Sequence, residues 1–105
     1  MLAHFRTYQI AVQLHASCRS LRLPAYLKSQ LLRASSSVAL NLAEGSAKPT
    51  AKDQARFYSI ALGSLRECQA AIELSDLGHS AVAQDADRLG AHIFRLIRSR
   101  SERTD

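Results

Sequence analysis

The chain has 105 residues, 47% of them hydrophobic, with six aromatic side chains, no Trp and a formal net charge of +5. That is room for one domain around one core, and four glycines and two prolines are too few for a sheet-rich design full of tight turns. The composition points to a helical bundle with an aliphatic interior of Leu, Ile, Val and Ala.

Apolar residues recur at helical spacing over 4–21: Ile10, Ala11, Leu14, Cys18 and Leu21 share one stripe, and Phe5, Tyr8 and Val12 form a second beside it. So broad a surface on a first helix implies burial by more than one neighbour, another subunit included. Pro24 interrupts the backbone ladder and pushes Leu23 towards extended backbone, which predicts a turn near 22–26. A second helix follows over 25–44, with Leu27, Leu31, Ala34, Val38 and Asn41 as its seam and Leu42 broadening that face. Ser35, Ser36 and Ser37 are small enough to admit a neighbouring helix closely and can bond back to carbonyls.

Gly45 is placed to end that helix with positive φ. Thr50 and Asp53 form a capping-box variant that opens a third helix over 51–75. Its seam reads Phe57, Ala61, Leu65, Cys68 and Ile72, and Gly63-Ser64 in its middle predicts close packing against another helix. Gly78 is the next stop and Ser80 the next cap, and Val82, Ala86, Leu89, Ile93 and Leu96 pattern a fourth helix over 80–98. Short connections between four such helices predict an all-α, antiparallel, up-down-up-down, left-handed four-helix bundle spanning 1–105.

The charge is unevenly spread. Residues 1–60 carry eight Lys/Arg against Glu44 and Asp53; residues 61–90 carry Arg66 and Arg88 against five carboxylates; the last fifteen are basic again. Such polarity suits polyanion binding, or attraction between subunits that place opposite regions together. Cys18 and Cys68 are not in a C-x-x-C arrangement and read as reduced, small apolar residues of a cytoplasmic protein. No stretch approaches the roughly 20 apolar residues needed to span a bilayer, so no membrane association is expected.

Across residues 30–68 the sequence resembles the four-helix-bundle family encoded within intervening sequences of bacterial 23S ribosomal RNA genes. The resemblance rests on Gln30, Arg33, Ala34, Ser37, Val38, Asn41, Leu42, Ala43, Glu44 and Gly45, then on Arg56, Phe57, Tyr58, Ile60, Ala61, Gly63, Ser64, Leu65 and Glu67. Leu32 stands where the family often has a second arginine, and Cys68 where it often has leucine. The resemblance implies the bundle fold and a homo-oligomer, since related bundles form homopentameric rings. A similar bundle is the accessory factor of a retroelement reverse transcriptase and binds nucleic acid through a basic surface. The resemblance thus offers RNA or DNA, and a protein such as a reverse transcriptase, as partners.

Three groups of residues are candidates for a role. Arg19, Arg22, Lys28, Arg33, Lys48, Lys52 and Arg56 surround the first two turns and, gathered on one rim, would attract phosphates; an ordinary solvated surface is the alternative. Asn41 and Glu44 share a helix face, with Arg33 two turns or more earlier, and Arg56 or Arg66 could pair with Glu44 in a polar network fixing register. Arg95, Arg98, Arg100 and Arg103 form a second basic cluster, which complementation of a helix dipole explains as well as RNA does. His4, His15, His79 and His92 lack metal-ligand spacing, so neither metal nor cofactor is expected. No nucleophile motif, phosphate loop or carboxylate pair signals an enzyme. The sequence therefore predicts a non-enzymatic, self-associating bundle that presents a basic surface to nucleic acid, with a protein-scaffolding role as the alternative.

Overall fold

Each break between helices has a local cause. In the computed structural model, which describes residues 2–78 and 80–102, a 3-10 turn at Leu2–His4 leads into α1 (Arg6–Arg19), α2 (Ala25–Ser46), α3 (Ala51–Leu74) and α4 (Ala81–Ser101). Beyond α1, Lys28 folds its ammonium back onto the carbonyls of Arg19, at 2.8 Å, and Leu21, supplying donors to the unpaired C-terminal acceptors and a cation to the negative end of the dipole. Pro24, at φ −54°, then stands at the N-cap of α2, where no helical amide is required of it. The caps of the last two helices are the expected ones: Thr50 Oγ1 accepts from the Asp53 amide at 3.2 Å, and Ser80 Oγ from the Ala83 amide at 3.3 Å.

Two glycines differ from the sequence expectation. Helix α2 runs through Gly45 to Ser46, and no described glycine has positive φ. Gly45 is there for space: a Cβ would stand 2.7 Å from Cε1 of Tyr58 and 3.0 Å from Cβ of Phe57. Gly78 likewise does not end α3. Asp76 does, at φ 61°, with its own amide bonded to the Glu73 carbonyl and the Leu77 amide to that of Ile72, each at 3.1 Å. This is the paired closure usually built on glycine, and the short polar side chain of Asp tolerates the left-handed backbone it needs.

The four helices pack in sequence order, with α4 closing on α1, and the α2–α3 seam is the most extensive. The core is a column of small and aliphatic side chains: Leu14 and Cys18 from α1, Leu31, Val38 and Leu42 from α2, Ala61, Leu65, Cys68 and Ile72 from α3, and Ala86, Leu89 and Ile93 from α4. Two seam positions shift by one residue. Leu42 is fully buried where Asn41 was expected, and Tyr58 takes the interior place of Phe57, which is half-buried. On α2, a helix of 3.6 residues per turn drifts against a strict alternation of threes and fours, which moves the contact line to the adjacent residue; on α3, Tyr58 instead completes that alternation with Ala61, Leu65, Cys68 and Ile72.

The serine run carries hydrogen bonds to both neighbouring helices. Ser35 Oγ lies 2.6 Å from Nδ1 of His15 on α1, and Ser37 Oγ lies 2.8 Å from the buried Ser64 Oγ on α3. Ser64 therefore packs as expected, but Gly63 does not. It faces outward, and a Cβ there would meet nothing within 4 Å. Among the described residues there is no strand, and no helix is long and apolar enough to cross a membrane.

Candidate nucleic-acid interface

The antiparallel topology sorts the basic residues differently from their order in sequence. One end of the bundle collects the start of α1, the end of α2, the start of α3 and the end of α4; the far end collects the other four termini. Of the seven residues expected on one rim, Lys48, Lys52 and Arg56 lie at the first end, while Arg19, Arg22 and Lys28 lie at the second. Arg33 sits between them on α2, donating to Gln30 at 2.6 Å. Lys28 and Lys48 are about 30 Å apart along the axis, so the seven do not form one rim. Lys28 is further committed to capping α1.

A different set does converge. Arg6, Lys48, Lys52, Arg56, Arg95, Arg98 and Arg100 share the first end, against Glu44, Asp53 and Glu102. Each of these carboxylates pairs with a cation on its own stretch of chain: Glu44 with Lys48 at 3.0 Å, Asp53 with Arg56 at 3.8 Å, and Glu102 with Arg98 at 4.0 Å. These are exposed pairs, worth about 0–1 kcal/mol each, and a phosphate can displace them. Among the described residues, no carboxylate lies within ion-pair distance of Arg6, Lys52, Arg95 or Arg100. The Phe57 ring carries two further cations, Lys48 Nζ at 4.9 Å and the Arg56 guanidinium carbon at 4.5 Å from its centroid. Such contacts limit the freedom of two long side chains without removing their charge.

Within this end lies an open pocket of about 300 Å³, lined by His4, Phe5, Ser46, Gln54, Tyr58, Leu96 and Arg100. Gln54 donates one side-chain N–H to the Lys48 carbonyl at 3.2 Å, and Ser46 spends its hydroxyl on the Ala43 carbonyl. The Arg100 guanidinium lies in the same lining as the Tyr58 phenol, close enough for its charge to act on it. Burial raises the pKa of that phenol, and the charge of Arg100 partly opposes the rise. The Arg100 Nε–H is shut off from solvent and meets no acceptor among the described residues.

The polar network expected around Asn41 is not assembled. The Asn41 amide donates to the carbonyl and hydroxyl of Ser37, one turn back on its own helix. Glu44 is solvent-exposed and pairs with Lys48. Arg66 donates to Gln69, which in turn donates to Asp87, so it bridges towards α4 and not towards Glu44. The reason is register: Ser37 opposite Ser64 sets Glu44 level with the start of α3, far from Arg66.

At the far end of the 44 Å bundle, Glu73, Asp76, Asp85 and Asp87 gather where α3 gives way to α4, beside Arg19, Arg22, Lys28 and Arg88, so charge there is nearly balanced while the first end keeps an excess of cations. No group of three or more potential metal ligands occurs among the described residues.

Both cysteines are free and enclosed in the core, where burial pushes Cys18 up to about 11 and Cys68 up to about 12. The sequence reading gave Arg95, Arg98, Arg100 and Arg103 a separate cluster, of which Arg103 lies outside the described residues, and overlooked Arg6, His4 and Gln54. The signal was available in the topology: in an up-down-up-down bundle the two chain ends meet the central turn.

Helices in this arrangement, with one cationic end, define a small all-α bundle protein. The chain belongs to the 23S rRNA-intervening sequence protein family, whose model matches residues 4–102 and so takes in all four helices. Comparison with curated proteins gave no match.

Proposed function

We propose that this protein is a non-enzymatic, self-associating adaptor that holds nucleic acid by the phosphate backbone at its basic end. The observation that supports this most is the gathering of seven cations there against three carboxylates, each already paired with a cation of its own stretch of chain. Four cations without carboxylate partners give a salt slope of about −3 in log K against log salt for single-stranded RNA, with little sequence preference. Self-association finds support on the outward side of α2 and α3, where Tyr26, Leu40, Ile60 and Leu74 are exposed. Gly63 and Ala70 on that side leave room for a close neighbour. A ring of copies, pentameric by the family resemblance, would repeat the basic end and sum weak contacts by symmetry.

The test is light scattering coupled to size exclusion, with a labelled single-stranded RNA over a salt series. The wild-type protein elutes as an oligomer that carries RNA at low salt and releases it at high salt. Lys52→Glu with Arg95→Glu abolishes co-elution, whereas Arg19→Glu with Arg22→Glu at the far end leaves most of it. Equal loss from both pairs would refute the assignment to one end. Binding that persists at high salt would refute the electrostatic mechanism.

A second reading, a scaffold for another polypeptide, is favoured by Val12 on α1 and Phe94 on α4, which are 44% and 51% exposed. An oligomer that ignores RNA at every salt concentration would select it.

A further inference from the structure

The pocket at the basic end differs from the surface around it. Its lining contains no carboxylate: the polar groups are His4, Ser46, Gln54, Tyr58 and Arg100, against the apolar Phe5 and Leu96. Arg100 reaches it from the last turn of α4 with donors to spare: no carboxylate pairs with it, and its Nε–H has no acceptor, among the described residues. A buried donor on a charged group that lacks a partner is a standing cost, and an anion that accepts from it relieves that cost. A guanidinium offers its Nε and Nη donors as a planar fork matched to two oxygens of one phosphate. Gln54 is held in place through its bond to the Lys48 carbonyl and keeps a second side-chain N–H. The volume is at the lower limit of small-molecule sites, suited to a compact group and not to a large one.

We infer that this pocket seats one phosphate group, held by the Arg100 fork with Gln54 and His4 beside it, while Lys52, Arg6 and Arg95 act on the polyanion around it. The inference rests on the reading of this end as a nucleic-acid surface. It divides that surface into one specific seat and a diffuse field. Because Nε–H is shut off from solvent, the guanidinium turns to present its Nε–Nη edge when the anion enters. The phosphate can be a backbone diester or a terminal monoester, which carries more charge, about −1.5 to −2.

The experiment uses the full chain labelled with nitrogen-15, following arginine Nε–H and glutamine side-chain signals by NMR during titration with inorganic phosphate. Sodium chloride at matched ionic strength is the control. One arginine signal, absent from Arg100→Gln, shifts and saturates together with the Gln54 amide, and Arg100→Gln weakens phosphate binding about tenfold. Arg100→Lys, which keeps the charge and loses the fork, is weakened similarly, and melting curves of both variants establish that they fold. Arg22→Glu, at the far end of the bundle, leaves the inorganic phosphate titration within about twofold, because it lies well beyond a Debye length from the seat.

Arginine signals that all drift together without saturating, or that match the chloride control, would overturn the seat. RNA that binds without moving the Arg100 and Gln54 signals would also overturn it, leaving the basic-end reading intact. Saturation by phosphate in a protein that binds no RNA at low salt would keep the seat and remove the nucleic acid as its source. An RNA with a 5′-phosphate that competes better than the same RNA with a 5′-hydroxyl identifies a terminal phosphate. Equal competition identifies the backbone, and the seat stands either way.

Discussion

Gly45→Ala tests the packing argument most directly, because two terms of opposite sign compete. In a helix interior, alanine is favoured over glycine by about 1 kcal/mol, so propensity alone predicts stabilisation. At this position the new Cβ would stand 2.7 Å from Cε1 of Tyr58, where carbon atoms in good contact sit about 3.5–4.0 Å apart. Something must therefore move by about 1 Å. The backbone of α2 is fixed by its own ladder, and Tyr58 is buried in the core. Overpacking of that kind costs about 1–3 kcal/mol, so the net effect is a loss of about 1 kcal/mol and a fall in Tm of about 4–8 °C. Circular dichroism melts at 222 nm measure it. The double variant with Tyr58→Leu isolates the cause: removing the ring relieves the clash, so the pair is less destabilised than the sum of the single changes by about 1 kcal/mol. A rise in Tm for Gly45→Ala, or strict additivity with Tyr58→Leu, would refute the close approach.

Gly63→Leu should leave the dissociated bundle folded, because nothing lies within 4 Å of the new Cβ, but should reduce the oligomer mass in light scattering if α2 and α3 face a neighbouring copy. Unaltered mass would move the subunit contact elsewhere. Cys18 and Cys68, whose thiols burial raises to about 11 and 12, should resist a thiol reagent at pH 8 in the native protein and react at once in denaturant. His92 titrates below its ordinary value, chiefly through desolvation and then through Arg95, Arg6 and Arg88. Its unfolded form therefore binds the proton more readily, so its contribution is present above the unfolded value of about 6.5 and is lost as pH falls towards the folded value. His92→Asn should flatten that part of the stability profile, as read from urea midpoints between pH 7 and 5.

Much of the fold was legible because local and global signals agree. Leu14, Leu31, Leu65 and Leu89 repeat at helical spacing, Thr50 and Ser80 are capping residues where caps are needed, and Pro24 sits where a helix has to begin. The errors share one origin: a linear reading weighs what a residue can do alone and not what stands opposite it. Gly45 and Gly78 look like helix stops, yet the space beside Tyr58 explains the first, and Asp76 performs the task assigned to the second. Gly63 looks like a crossing and faces outward, while its neighbour Ser64 makes the contact. The candidate site was divided wrongly for the same reason. Lys28 is near Arg33 in sequence and far from Lys48 in space, whereas Arg100 and Gln54 line one pocket although 46 positions separate them (100 − 54).

Helix α1 starts, and α4 ends, at the end of the bundle that carries the pocket. Anything fused to either side of this sequence, an affinity tag included, is thus tethered within reach of the candidate interface. A polyhistidine or acidic extension would add to its charge or compete for it. Joining α4 to α1 by a short linker and opening the chain in the turn between Leu74 and Ala81 would carry the free ends to the far end of the bundle. Such a circular permutant would keep the helix packing and leave the basic face clear for handling and immobilisation.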